Sequence, residues 1–295
     1  MALDTTKVKL PASVVTEISG KVKDTSTIAA LSPARPKIFN DENYMVFNST
    51  SEGEVVAEGA KKGSYENDID IIVGKRFKVV TTTRVSNELQ WADEDNQLEI
   101  INAIQEDQTA AIGRVLDYVV YHGFNPKPKQ ALSGFTGLVS DSSVNTVTAT
   151  DDPSADIDNM VDALIDYGIS GIALSRLFAS ALRKLRVPAT GMRLYPEIPL
   201  NLNVGDLDGI PAATSNTVNG RLITPDTGVR SIMGDFNMIK WGMVRDMWSE
   251  VIEYGDPDGT GNDLKAYNQI AFRTEAVMSY AVLEPAAFAV LKEGE

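Results

Sequence analysis

After Pro11, which is tolerated in a first helical turn, Val14, Val15, Ile18 and Val22 recur at three- and four-residue steps and predict a short amphipathic helix. Gly20, Pro33 and Pro36 interrupt any longer element. From Met45 to Val80 the pattern changes to strand-like runs, Val55–Ala57, Ile69–Val73 and Phe77–Thr82, punctuated by Gly59, Gly63 and the polar run 64–68. Ser86 is placed as an N-cap, and Asp93, Glu94 and Asp95 suit the positive end of a helix dipole. Leu98, Ile101, Ile104, Ala111, Val115 and Val119 then form one stripe, with Gln108 filling its gap and Gly123 as the stop. The result is a helix of about eight turns, long against the usual three, and it reads as a strut. Thr146–Thr150 is strand-like, and Asp156–Tyr167 and Ser175–Leu185 are amphipathic helices. Three further strand-like runs, Met238–Arg245, Ser249–Glu253 and Tyr267–Val282, close the chain. Strands and helices mix without a repeated βα unit, so the fold class is α+β.

Two segments cannot fold alone. The thin apolar stripe of the first forty residues must lie on the same chain's body or on a neighbour's. There Lys7, Lys9, Lys21, Lys23, Arg35 and Lys37 outnumber Asp4, Glu17 and Asp24. A hairpin over 45–80 is marginal in water by itself. Its six acidic and five basic residues suit either a complementary surface or its own domain.

Composition changes the picture mainly by exclusion. The 295 residues carry 27 Lys+Arg and 41 Asp+Glu, a net charge of −14, which disfavours a whole-surface nucleic-acid binder. There is no Cys and one His, His122, which removes disulfides, thiolate chemistry and Cys-ligated metals and leaves a triad or multi-His site without residues. His122 sits where it complements a helix dipole. No apolar run reaches the roughly 18 residues of a membrane helix, and the first residues hold no signal-peptide core. Asp256–Asp263 places oxygens at positions 1, 3 and 5 of a calcium-type loop, but Tyr267 stands where a bidentate Glu is needed, so the stretch reads as an exposed hairpin turn. Trp91, Trp241 and Trp248 are assigned to core or interface packing. No phosphate-loop, dinucleotide, zincin or nucleophile-elbow motif occurs, and no catalytic residue, cofactor or metal ligand is assigned.

In order, Leu10–Ile18 and Ser26–Leu31, the Ala57-Glu-Gly-Ala-Lys61 step, Val85-Ser-Asn-Glu-Leu89, the helix ending at His122-Gly123, Leu207-Asp-Gly-Ile-Pro211, Gly234-Asp-Phe236, Arg273–Val277 and Ala281–Phe288 resemble the major capsid proteins of tailed phages, the Hong Kong 97-type fold shared with encapsulins. The resemblance implies an N-terminal arm (1–44), an extended loop (45–82), a peripheral domain on a spine helix (83–133 and 234–295) and an axial domain (134–233). It implies pentamers and hexamers closing into an icosahedral shell around phage DNA, in a virion assembled in the host cytoplasm. Glu54, Glu58, Lys61, Lys62, Lys75 and Arg76 are the candidates for inter-subunit contact. Partners are further copies of the chain, a separate scaffolding protein, portal and head-completion proteins, and packaged DNA by proximity only, with no membrane. The scaffold is expected because the long helical segment that many relatives carry before the arm is missing here. A Lys61 or Lys62 cross-link to a neighbour's Asn is a further hypothesis. An encapsulin-like compartment shell and a carboxylate-dependent hydrolase remain as alternatives.

Overall fold

The computed structural model describes residues 25–33, 43–47, 53–64, 69–96, 100–223 and 226–294; the helix expected over Leu10–Ile18 lies outside them. Helix α1 (Thr27–Leu31) is followed by strands β1 (Asn43–Phe47), β2 (Ile69–Val73) and β3 (Lys75–Ser86). Helices α2 (Asn87–Asn96) and α3 (Ile100–His122) precede β4 (Phe124–Asn125), β5 (Gln130–Ala131) and β6 (Asn145–Thr148). Next come α4 (Pro153–Ala163), β7 (Gly171–Leu174), α5 (Arg176–Lys184), β8 (Asp206–Leu207), β9 (Ile210–Thr214) and β10 (Val229–Gly234). A long hairpin, β11 (Ile239–Ile252) and β12 (Gln269–Val282), leads to β13 (Phe288–Lys292). Helices and mixed sheets interleave, an α+β fold.

One sheet runs β6-β13-β10-β7-β9-β8, with β13–β6 and β7–β9 parallel and the rest antiparallel. Both its faces are covered, so its central strands are apolar on alternate sides rather than one. On β13, Phe288 and Val290 face one core while Ala289 and Leu291 face the other; on β10, Ile232 and Met233 divide likewise. The second core is closed by α4 through Ile157, Met160 and Leu164 and by α5 through Phe178, Ala179 and Leu182. Full burial of a side chain such as Phe178 contributes about 1.5–3 kcal/mol. Both helices start on side-chain caps, Asp152 accepting from Ser154 N–H and Ser175 from Phe178 N–H. The β8–β9 hairpin turns on Asp208 and Gly209, both at positive φ, as the Leu207–Pro211 step requires.

The other face of the sheet meets α3. Ser86 Oγ accepts from Leu89 N–H at 3.3 Å, the expected cap, and the helical stretch is described as α2 and α3. The buried side of α3 is Gln108, Ile112, Leu116 and Val119, and from Leu116 to Tyr121 every side chain is buried. Ala111 and Val115 of the expected stripe are only half-buried, because the last turns are packed from several sides and the seam rotates. Gln108 belongs to the seam for a polar reason: its Nε2 donates to Thr83 Oγ1 and Phe272 O, and Thr274 Oγ1 donates to its Oε1 at 2.7 Å. That ties α3 to the three-stranded sheet β11-β12-β3. The two runs expected over 238–253 are one strand, interrupted by register shifts near Arg245.

Gly123 ends α3 at φ +62°, and a Cβ there would lie 2.5 Å from Phe135 O. Gly234 of the Gly-Asp-Phe step is crowded too: a Cβ would lie 2.3 Å from Ala287 O, where β10 passes the start of β13.

His122 is not the charged dipole partner expected of a helix end. Burial lowers its pKa to about 4, so the ring is neutral at pH 7. Its Nε2 donates to the Thr217 carbonyl at 2.9 Å, which fixes the tautomer, and its buried Nδ1 has no partner to receive a second proton's N–H. A pKa held below the unfolded value of 6.5 gives stability that is present above pH 6.5 and lost as pH falls toward 4. A pH series of thermal melts is expected to show that loss in the wild type and a flatter curve in His122→Gln.

The Ser26–Leu31 part of the arm lies on its own chain. Ile28 is fully buried, Ser32 Oγ donates to Ile239 O, and Trp241 Nε1 donates to Ser32 O at 2.9 Å. Beneath α1 is Asp117, fully buried in α3. Its carboxylate accepts from Ser26 Oγ (2.5 Å), Thr27 N (2.8 Å), Thr27 Oγ1 (3.0 Å), Ile28 N (3.2 Å) and Thr217 Oγ1 (2.5 Å). The Thr27 hydroxyl proton is thus committed, and Tyr121 OH donates to Thr27 Oγ1 at 2.9 Å. Burial raises the Asp117 pKa above the ordinary carboxylate value, against the lowering by these hydrogen bonds.

Candidate assembly interface

The expected hairpin is built differently from its reading. Val55–Ala57 is not a strand: it leads into a turn in which Ala60 N–H donates to Ala57 O at 3.0 Å and Gly59 takes φ +79°. Among the described residues no strand pairs with it, and Val55 is fully exposed. The paired strands are β1 and β2, with Met45 opposite Ile71 and Asn43 opposite Val73, while Phe77–Thr82 belongs to β3 and pairs with β12. Ile69, Ile71 and Val73 alternate onto one face of this ladder with Met45, and all are exposed, Ile71 at 64% and Met45 at 70%. A two-stranded ladder whose apolar face is exposed among the described residues is not self-sufficient in water.

The six contact candidates fall into two places. Glu54, Glu58, Lys61 and Lys62 lie in the exposed loop 53–64, where Glu54 Oε2 accepts from Gly63 N–H at 3.0 Å and braces the loop. Lys75 and Arg76 lie at the start of β3, and Lys75 Nζ donates to Gly134 O at 2.8 Å and sits over the Phe135 ring, anchoring the ladder's foot. The candidates therefore do not converge on one point. What the arrangement offers is a projecting apolar ladder with a charged tip.

Asp256–Asp263 is an exposed hairpin turn, as expected, and it also holds a side chain of a neighbouring strand. This segment joins β11 to β12, and its carboxylates clamp the buried guanidinium of Arg84 from β3. Arg84 Nε donates to both Asp258 oxygens at 2.9 Å, one terminal nitrogen donates to Asn262 O at 2.9 Å, and the other to Asp256 at 2.5 Å and to Asp258. The Arg84 hydrogen bonds hold the Asp258 pKa down to about 2. Further along the same sheet, Trp248 is stacked under Arg245 at 3.9 Å, and Lys78 pairs with Glu275 at 2.5 Å. Among the described residues no group of three or more His, Asp or Glu is arranged to hold a metal ion, and no helix is long and apolar enough to cross a membrane. Neither Asp117 nor Arg84 was assigned from sequence. The signal for Asp117 is a single carboxylate inside the apolar run Val115–Val120. For Arg84 it is a cation set between the strand-like run 77–83 and Val85.

A spine helix, a two-faced mixed sheet, a three-stranded sheet with a long hairpin and a projecting ladder define a shell-building protein of the Hong Kong 97-type fold. The family model described as Phage capsid family matches residues 7–293, and the chain belongs to that family. It is similar to a chain of known structure from Mycobacterium phage Ogopogo, at 32% identity over 100% of both chains with a TM-score of 0.85. A chain from Gordonia phage Cozz matches at 27% identity over 97% of this chain and 92% of its own, TM-score 0.80. A chain described as "Capsid of native GTA particle computed with C5 symmetry" shares the fold at 14% identity, covering 97% of this chain and 96% of its own, TM-score 0.66. A search of curated proteins returns no match. The chain is a structural major capsid protein of the virion, and neither the encapsulin nor the hydrolase alternative is favoured.

Proposed function

We propose that copies of this chain form pentamers and hexamers that close into an icosahedral shell around a phage genome, without enzymatic activity, assembled in the host cytoplasm. The observation that carries the reading is the β1–β2 ladder, one face of which leaves the apolar side chains of Met45, Ile71 and Val73 exposed. In this division of labour 1–44 is the arm, 45–82 the extended loop, 83–133 and 234–295 the peripheral domain, and 134–233 the axial domain, whose six-stranded sheet receives Phe288–Lys292 from the chain's end. Glu54, Glu58, Lys61 and Lys62 at the loop tip and Lys75 and Arg76 at its base meet neighbouring copies, and Lys75 also steadies the base. A separate scaffolding protein guides closure, and portal and head-completion proteins complete the particle. The chain's net charge of −14 keeps the wall from gripping packed DNA. Replacing residues 53–64 by a two-residue turn tests this. The variant is expected to melt within a few degrees of wild type and to form no closed particles by electron microscopy; particles at wild-type yield would refute the loop's role.

A further inference from the structure

Two surface patches near the six-stranded sheet mix exposed apolar side chains with charges of one sign. On α4 and the turn that ends it, Ile157, Met160 and Leu164 face the core, while Asp158, Val161 and Asp162 on the outer side of the helix and Ile165 and Asp166 in the turn are exposed. Val161 and Ile165 are exposed, Ile165 at 81%, and Asp158 and Asp162 stand at four-residue spacing within the helix, which costs a few tenths of a kcal/mol. The second patch starts at the end of α5 with Arg183 and Lys184 and continues through Arg186 and Arg193, which face each other across a β-bridge. Like charges placed opposite one another are destabilising when nothing neutralises them. Met192, 68% exposed, and Leu194 lie beside them. Arg183 Nε is buried without a hydrogen-bond partner, and Arg186 donates only to the backbone carbonyls of Arg183 and Leu185. Among the described residues no carboxylate reaches any of these four cations, and no cation reaches Asp158, Asp162 or Asp166.

We infer that the two patches are the halves of one contact: the acidic–apolar surface of α4 and its terminal turn on one copy docks on the basic–apolar hairpin 183–194 of a second copy. This rests on the shell reading and adds to it the surfaces through which neighbours pair. Each half supplies what the other lacks, carboxylates for unpaired guanidinium groups and Val161 and Ile165 for Met192 and Leu194. Because the two surfaces differ, the contact is head-to-tail, and repeated use of it generates a ring when the rotation closes. A polyanion is the lesser fit to the basic half: exposed Met192 and Leu194 suit a protein, and the matching surface is present on the same chain.

Charge reversal of the full-length chain separates the outcomes. Asp162→Lys/Asp166→Lys and Arg186→Glu/Arg193→Glu are each expected to weaken association at least about tenfold by sedimentation velocity, with unchanged circular dichroism. Combining all four substitutions is expected to restore association, because the reversed patches again match. Wild-type-like assembly of either two-site variant, or failure of the folded four-site variant to recover, overturns the contact. Normal assembly of Arg186→Glu/Arg193→Glu with loss of binding to duplex DNA overturns it in favour of nucleic acid. A wild type that remains monomeric at high concentration, with or without a scaffold, instead refutes the shell reading and the contact with it.

Discussion

Asp117→Ala is expected to lower unfolding stability by about 3–5 kcal/mol, the largest loss from any single substitution considered, and to release the arm. Five donors converge on this fully buried carboxylate: three hydroxyls, of Ser26, Thr27 and Thr217, and the backbone N–H groups of Thr27 and Ile28. Alanine leaves the Ser26 hydroxyl and the Thr27 and Ile28 N–H groups without that acceptor in a site closed to solvent, while the Thr217 and Thr27 hydroxyls keep Ser215 Oγ at 3.0 Å and Tyr121 OH at 2.9 Å within reach. Each orphaned group carries a desolvation cost of about 1–3 kcal/mol, reduced where the arm lifts and lets water in. That relief has its own signature. Protease cleavage and amide exchange over 25–33 are expected to rise well before global unfolding, because the donors at Ser26, Thr27 and Ile28 are the arm's own. Asp117→Asn retains one acceptor oxygen and is expected to lose about half as much. Unchanged stability and arm protection in Asp117→Ala would show that Ile28 and the Trp241–Ser32 bond suffice to hold α1.

Arg84→Met is expected to cost about 2–3 kcal/mol, with the change concentrated in the β11–β12 turn. Methionine preserves the apolar stem but removes the guanidinium that binds Asp256, Asp258 and Asn262 O. The two carboxylates then repel across the space that Arg84 filled, and amide exchange over residues 254–264 is expected to increase. The pH dependence has a definite sign. Asp258 is held at about 2, below its ordinary 3.8, so its pairing stabilises the fold above pH 3.8 and is lost as pH falls toward 2. In Arg84→Met that acid-side loss is expected to vanish, since the stabilisation is already gone at pH 7. Arg84→Lys is not expected to rescue, because an ammonium cannot span the three acceptors that the planar guanidinium reaches.

The sequence pattern carried most of the element types and less of their packing. Period and capping were enough for α3, α4, α5 and the long strands, because each has an apolar stripe or alternation written in local order. Val55–Ala57 shows the limit: a strand-like run forms no strand where none of the described residues pairs with it. His122 shows another, since its position at a helix end is local but its burial against Thr217, ninety-five residues away, is not. Asp117 and Arg84 share that cause: their partners lie 89–100 and 172–178 residues distant, so neither spacing nor period marks them. The six charged interface candidates were legible as a cluster in sequence, and the fold separates them into a tip and a base.

The most direct test is negative-stain microscopy with light scattering on the purified full chain, alone and with a candidate scaffolding protein. Closed particles, or rings the size of hexamers and pentamers, are the predicted result. A compact monomer under both conditions would contradict the account, because the exposed ladder face and the unpaired surface charges would then need no second copy.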